Sequence, residues 1–174
     1  EPGRWRTARV PFWRPIYEAV NDPRPKTIVI ITGAQMSKTE SMLNIIGQRM
    51  TDGPYMPALY IGPTAKQAST MSRDRFDKML RSTPLLWERT AKGQQYKVTE
   101  KFIAGVRLGF GWAGSATELS SHPCGLVLVD ERDRMGSDID GEGDPVQLAR
   151  ARTKNYPLGK VIVASTPTVE GASP

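Results

Sequence analysis

Three short segments carry side chains whose types and spacing can do chemistry. The first is Thr32-Gly33-Ala34-Gln35-Met36-Ser37-Lys38-Thr39. A lysine followed by a hydroxyl residue at the end of a short loop is the mark of a phosphate-binding loop. Backbone N–H groups and the start of a following helix would cradle the β- and γ-phosphates. Lys38 would neutralise phosphate charge, and the Thr39 hydroxyl would ligate Mg2+. The strict pattern has glycine at its first and sixth positions, where Thr32 and Ser37 stand here. Serine at the sixth position requires an allowed backbone conformation or some strain. The plainer reading is an ordinary strand–turn–helix with an exposed lysine.

The second segment is Gly125-Leu126-Val127-Leu128-Val129-Asp130-Glu131. An apolar strand that delivers two acids at its carboxyl end is the Walker B pattern. Asp130 would hold Mg2+, and Glu131 would orient and polarise an attacking water. Neighbouring strand residues point to opposite faces, but at the strand's end the second can swing into the site. The third segment is Ser165-Thr166-Pro167-Thr168. Its hydroxyls can contact a γ-phosphate or its water, although a strand closed by a hydroxyl turn and Pro167 is the plainer reading.

These segments need elements to position them. Thr27–Ile31 is a β-branched run and reads as a buried strand. Thr39–Met50 has helical spacing at Met42, Leu43, Ile45, Ile46 and Met50. Further strands are expected at 58–61, 96–103, 106–112, 125–129 and 160–164. Helices are expected at 15–20, 65–80 and 145–152; Asp144 can cap the last, and Pro145 suits its first turn. Apolar strands alternating with helices predict a mostly parallel α/β sheet covered on both faces. Ligands bind such sheets at the carboxyl ends of the strands, where all three segments lie.

The chain has 174 residues, enough for one domain with a sizeable core. Its 24% charged and 39% hydrophobic content excludes a coiled coil, a collagen-like fibre and a disordered tail. No apolar run approaches the roughly 20 residues that span a bilayer. The polar start of the sequence predicts no signal peptide. A lone Cys124 excludes a disulfide framework and a cysteine-based zinc site, and fits a cytoplasmic setting. The net charge is +6. Residues 130–144 hold seven acids and two arginines, so the rest carries 22 basic and 11 acidic groups, a net of +11. A basic body suggests a polyanion partner such as nucleic acid. His122, in a loop before Pro123, reads as structural, and Trp87 and Trp112 as packing.

In order along the chain stand Arg4-Trp5-Arg6-Thr7, Gly33-Ala34-Gln35 with Lys38-Thr39-Glu40, and Asp130-Glu131 with Asp133-Arg134. Gly141-Glu142-Gly143-Asp144-Pro145 and Ser165-Thr166-Pro167-Thr168 follow. This series resembles the large terminase subunit of tailed bacteriophages, in its lambda-type branch. The resemblance implies a RecA-like P-loop ATPase fold of the class with a catalytic glutamate (the ASCE type). It implies a motor that uses ATP and Mg2+ to push double-stranded DNA into a procapsid. Lys38 and Thr39 match the phosphate-loop pair, Asp130 and Glu131 the metal-holding and catalytic acids, and Ser165 and Thr166 the coupling motif. Residues 1–26, with Trp5, Arg6, Phe12 and Tyr17, lie where the family holds adenine.

The resemblance further implies that residues 1–174 are the ATPase domain alone, without the family's nuclease domain. The implied partners are the small terminase subunit, the portal protein of the procapsid and further copies in a ring, in the cytoplasm of an infected bacterium. Many terminases carry an arginine in the phosphate loop where Ala34 stands. A charge-neutralising arginine must then come from elsewhere, and Arg73 and Arg75 on the 65–80 helix are candidates, reaching a neighbouring subunit. Two other readings stay open: a helicase-like ATPase, and a non-hydrolysing DNA- or capsid-binding module with a degraded nucleotide site.

Overall fold

The computed structural model describes residues 5–139 and 141–167. Arg4, Asp140 and Thr168, which entered the sequence reading, lie outside them. Among the described residues six strands form one sheet: β1 (Thr27–Ile31), β2 (Ala58–Gly62), β3 (Glu100–Ile103), β4 (Val106–Trp112), β5 (Leu126–Asp130) and β6 (Lys160–Ser165). Their order is β1-β6-β5-β2-β4-β3. Every pairing is parallel except β3 with β4. That hairpin turns at Ala104 and Gly105, both at positive φ (51° and 76°), the left-handed pair a two-residue turn requires.

The register brings the three chemical segments together. Ile31 stands beside Ser165, and Asp130 beside Ala164. The ends of β1, β6 and β5 therefore form adjacent rows, and the chain beyond each emerges at one edge. The strand of the third segment lies between the strands of the other two.

Two apolar layers sandwich the sheet. On one face Ile28, Ile30, Leu128 and Ile162 pack against α2 (Lys38–Thr51) and residues of α1 (Arg14–Asn21), α4 (Asp77–Ser82) and α5 (Pro84–Glu88). On the other, Val127, Val129, Val161 and Val163 meet Leu119 of α6 (Ala116–Ser120) and Ala149 of α7 (Pro145–Ala151). Each such side chain, fully buried, contributes about 1.5–3 kcal/mol. The strand β1 corrects one expectation. Only Ile28 and Ile30 are buried, while Val29 and Ile31 are 62% and 66% exposed. It is an edge strand, and no described element covers its second face.

The helices depart from the sequence reading mainly in their details. The expected 65–80 helix runs on to Ser82 in three joined pieces: α3 (Ala65–Thr70), a π-helical stretch Met71–Phe76, and α4. The short α5 and α6 have no counterpart in the sequence reading. Asp144 caps α7 as expected, accepting from the N–H groups of Val146 and Gln147.

Residues 5–26 buckle onto α2 and the loop before it. Trp13 is fully buried and its Nε1 donates to the Met36 carbonyl at 2.9 Å. The Tyr17 hydroxyl bonds to Ser41 Oγ at 3.1 Å, and the buried Arg49 donates to the Val20 carbonyl.

Candidate functional site

A cleft of about 380 Å³ opens at the carboxyl edge of the sheet. The loop after β1 closes on itself through two left-handed residues, Gln35 at φ 59° and Ser37 at φ 63°. Ser37 thus takes the conformation a glycine would adopt, and α2 begins directly after it. Lys38, the first helical residue, folds back: its Nζ donates to the Gly33 carbonyl at 3.3 Å and to Thr166 Oγ1. The lysine of the first segment therefore touches the hydroxyl of the third.

Asp130 ends β5 and is 7% exposed. The Tyr60 hydroxyl, reaching across from β2, donates to its Oδ2 at 3.0 Å. Burial pushes the Asp130 carboxyl above the usual carboxylate range, against the Tyr60 bond and the Lys38 charge that lower it. Burial and the same carboxylate raise the Tyr60 phenol. Burial outweighs both the Tyr60 bond and the Lys38 charge at this carboxylate, so a hard divalent cation held there would add the charge that favours its ionised form. Thr39 offers a hydroxyl in the same cleft. Among the described residues no cluster of three His, Cys, Asp or Glu side chains could hold a metal.

Glu131 follows at φ 53°, again left-handed. This single residue breaks the strand's alternation, so both acids line the cleft. Its Oε2 accepts from Gln67 Nε2 at 2.9 Å and lies 3.5 Å from Arg134 Nη1. Gln67 stands in the first turn of α3, whose cap is Thr64. Ser165 Oγ accepts from the Asp133 N–H at 2.9 Å, binding the end of β6 to the turn after β5.

The family model for the phage terminase large subunit gpA, ATPase domain, matches residues 1–174. The chain belongs to that family. Among solved structures, the large terminase of bacteriophage HK97 superposes with a TM-score of 0.74 at 18% identity, covering 95% of this chain and 34% of that one. The large terminase ATPase domain of Thermus phage P74-26 gives 0.56 at 16% identity, with 87% and 63% covered. A point mutant of that same domain gives 0.54 at 14%, with 91% and 71% covered. No curated protein matches. The chain spans about a third of the length of the HK97 terminase it matches. At these identities the likeness speaks for the fold, a RecA-like sheet.

Within this terminase ATPase domain, the residues singled out from sequence divide into two groups. Ala34, Gln35, Met36, Ser37, Lys38, Thr39, Asp130, Glu131, Ser165, Thr166 and Arg75 all line the cleft. Thr32 and Gly33 do not line it: the Gly33 carbonyl accepts from Lys38, and the Thr32 N–H donates to the Ser165 carbonyl at 3.3 Å. Arg73 is exposed and does not line it, whereas Arg75 reaches it and pairs with Glu40 at 3.6 Å. Arg6 is exposed, and Trp5 lines a separate hollow of about 250 Å³ with Tyr17, Asn44 and Gln48. Both hollows lie along α2 but share no lining residue. Sequence reasoning missed Tyr60, Gln67 and the position of Arg134.

Proposed function

We propose that this chain binds ATP with Mg2+ in the cleft and hydrolyses it, as the motor that drives double-stranded DNA into a viral procapsid. The convergence of Lys38, Asp130, Glu131 and Thr166 on one cleft carries this reading. Lys38 and the backbone N–H groups of the loop hold the β- and γ-phosphates. Thr39 and Asp130 hold the metal ion, which when bound draws charge off the phosphate oxygens. Glu131 orients the attacking water and takes its proton. Ser165 and Thr166 relay the state of the phosphate site, because they bond to the turn after β5 and to Lys38. Residues 5–26, Trp5 and Arg6 among them, take the adenine side.

The basic body of the chain, net +11 outside residues 130–144, supports DNA as the partner. Contacts are to phosphates, so affinity falls steeply with salt and shows little sequence preference. The remaining partners are a small terminase subunit, the portal of the procapsid and further copies in a ring, in the host cytoplasm. No helix among the described residues is long and apolar enough to cross a membrane.

Binding and steady-state hydrolysis of ATP with Mg2+ at rising protein concentration test the reading. Lys38→Ala should lose nucleotide binding. Glu131→Gln should bind and turn over about 10²- to 10⁴-fold more slowly. Unchanged turnover in Glu131→Gln removes that residue from its role. No binding by the unaltered chain leaves a DNA- or capsid-binding module with a degraded nucleotide site.

A further inference from the structure

Transfer of a γ-phosphoryl group spreads negative charge over its three equatorial oxygens, and an arginine commonly neutralises it. The phosphate loop supplies only Lys38, since Ala34 and Gln35 are uncharged. Two arginines line the cleft, Arg75 and Arg134. Arg75, on the π-helical stretch, pairs at 3.6 Å with Glu40, the exposed residue of the first turn of α2. Arg134 sits at the chemical centre, with Nη1 3.5 Å from the Glu131 carboxylate.

We propose that Arg134 is the charge-neutralising arginine, supplied by the same chain that binds the nucleotide. The inference rests on the ATPase reading given above. Glu131 must touch the attacking water, and that water must touch the γ-phosphorus. A guanidinium beside Glu131 is therefore within a side-chain swing of the equatorial oxygens. Its base is fixed. The 3₁₀ turn Arg132–Arg134 closes through the Arg134 N–H on the Glu131 carbonyl at 2.9 Å. The Asp133 N–H is held by Ser165 Oγ at 2.9 Å, and Arg132 Nη2 by Asp144 Oδ2 at 2.6 Å. Its tip is free to turn, because the side chain is 60% exposed and an exposed pair of this length holds weakly.

The exchange of partners serves the reaction twice. With a γ-phosphate present the guanidinium moves from Glu131 to phosphate oxygens, where its fork matches two acceptors. The carboxylate it leaves is then free to accept a proton. Water oxygen bonds to the γ-phosphorus while the bond to the bridging oxygen breaks. The electron pair stays on the β-phosphate of ADP, and the water proton passes to Glu131. The products are ADP and inorganic phosphate.

The test compares binding of MgADP alone with MgADP plus aluminium fluoride, a mimic of the phosphoryl group in flight. The chain is used unaltered and as Arg134→Ala, Arg134→Lys and Arg75→Ala. The unaltered chain should bind more tightly with fluoride, by the same factor at every protein concentration. Arg134→Ala should bind MgADP within about threefold of the unaltered chain yet lose at least about tenfold of the fluoride gain. Arg134→Lys should recover part of the gain, and Arg75→Ala should keep it. MgADP binding itself reports that each variant is folded. A gain kept in Arg134→Ala overturns the inference. So does a gain that is absent, or that appears only as concentration rises, which assigns the arginine to a neighbouring copy. Failure of the unaltered chain to bind MgADP, with Lys38→Ala no different, instead overturns the ATPase reading.

Discussion

Replacing Ser37 by glycine should stabilise the fold and leave the shape of the phosphate loop alone. Ser37 sits at φ 63°, ψ 24°, and its side chain makes no capping hydrogen bond to α2. Holding a non-glycine residue there costs about 1–2 kcal/mol. Glycine removes that strain but gives the unfolded chain about 0.4–1 kcal/mol more conformational freedom to lose. The difference favours Ser37→Gly by about 0.5–1 kcal/mol, a rise of about 1–4 °C in Tm for a chain of this size. Ser37→Ala keeps the strain and should lie near the native protein. Ser37→Val adds a β-branched side chain in the left-handed region and should fall at least about 1 kcal/mol below it. Urea denaturation midpoints at constant slope measure all three. MgADP affinity should change by less than about threefold in Ser37→Gly, because the native loop already has the glycine-like conformation. A glycine variant less stable than the native protein, or a valine variant equal to it, would refute the strain argument. A tenfold gain in affinity would show that serine distorts the loop rather than straining it.

Further expectations follow from side chains around the cleft. Trp13→Phe keeps most of the buried ring but removes the donor to the Met36 carbonyl, and should cost about 1–3 kcal/mol in denaturant titration. Trp13→Ala adds a cavity and should cost about 3–5 kcal/mol. Lys101 is 1% exposed, lies 3.0 Å from Asp77 and donates to Ser72 Oγ at 2.9 Å, bracing the π-helical stretch that carries Arg75. Lys101→Met leaves that carboxylate without its partner and should cost about 3–5 kcal/mol, whereas Lys101→Met with Asp77→Leu should recover much of it. Burial pushes the Cys124 thiol from 9.0 to about 12. Above pH 9 the unfolded thiol loses its proton while the folded one keeps it, so the thiol's stabilising share is lost as pH rises from 9 towards 12. A Cys124→Ala variant should show a flatter stability profile over that range, and the native thiol should resist Ellman's reagent at pH 8 until the chain is unfolded.

The strands that carry the chemistry were legible in the sequence because each is a continuous apolar run ending at a polar residue. β1 matched residue for residue, and β5 and β6 ended one residue beyond expectation. The site residues on those ends followed from the general rule that parallel sheets bind ligands at their carboxyl edge. What sequence could not give was lateral order. Tyr60 reaches Asp130 only because β2 lies beside β5, with Tyr60 opposite Leu128. Gln67 reaches Glu131 for the same reason, since α3 follows β2. The choice between Arg73 and Arg75 was equally hidden. A π-helical stretch alters which residues share a face, and no proline or glycine marks it within Met71–Phe76. Val29 and Ile31 read as core because a hydrophobic run does not reveal whether its strand lies at an edge.

Lateral order also explains why the third segment matters more than its bland composition suggests. Among the described strands, β6 alone is hydrogen-bonded to both β1 and β5. Its last residue, Ser165, holds the turn that carries Arg134, and the next, Thr166, holds Lys38. A change at the phosphate loop therefore reaches the turn beside Glu131 through two adjacent residues of one backbone, without crossing solvent. Short side chains suit that role. A hydroxyl keeps few rotamers, so little of a displacement at one end is absorbed before it reaches the other. Replacing both hydroxyls, as in Ser165→Ala with Thr166→Val, should keep the strand and its packing while uncoupling nucleotide state from DNA grip. The expected signature is ATP turnover retained within about tenfold while DNA affinity no longer differs between MgADP and a non-hydrolysable ATP analogue. Retention of that difference would mean the signal leaves the cleft by another route.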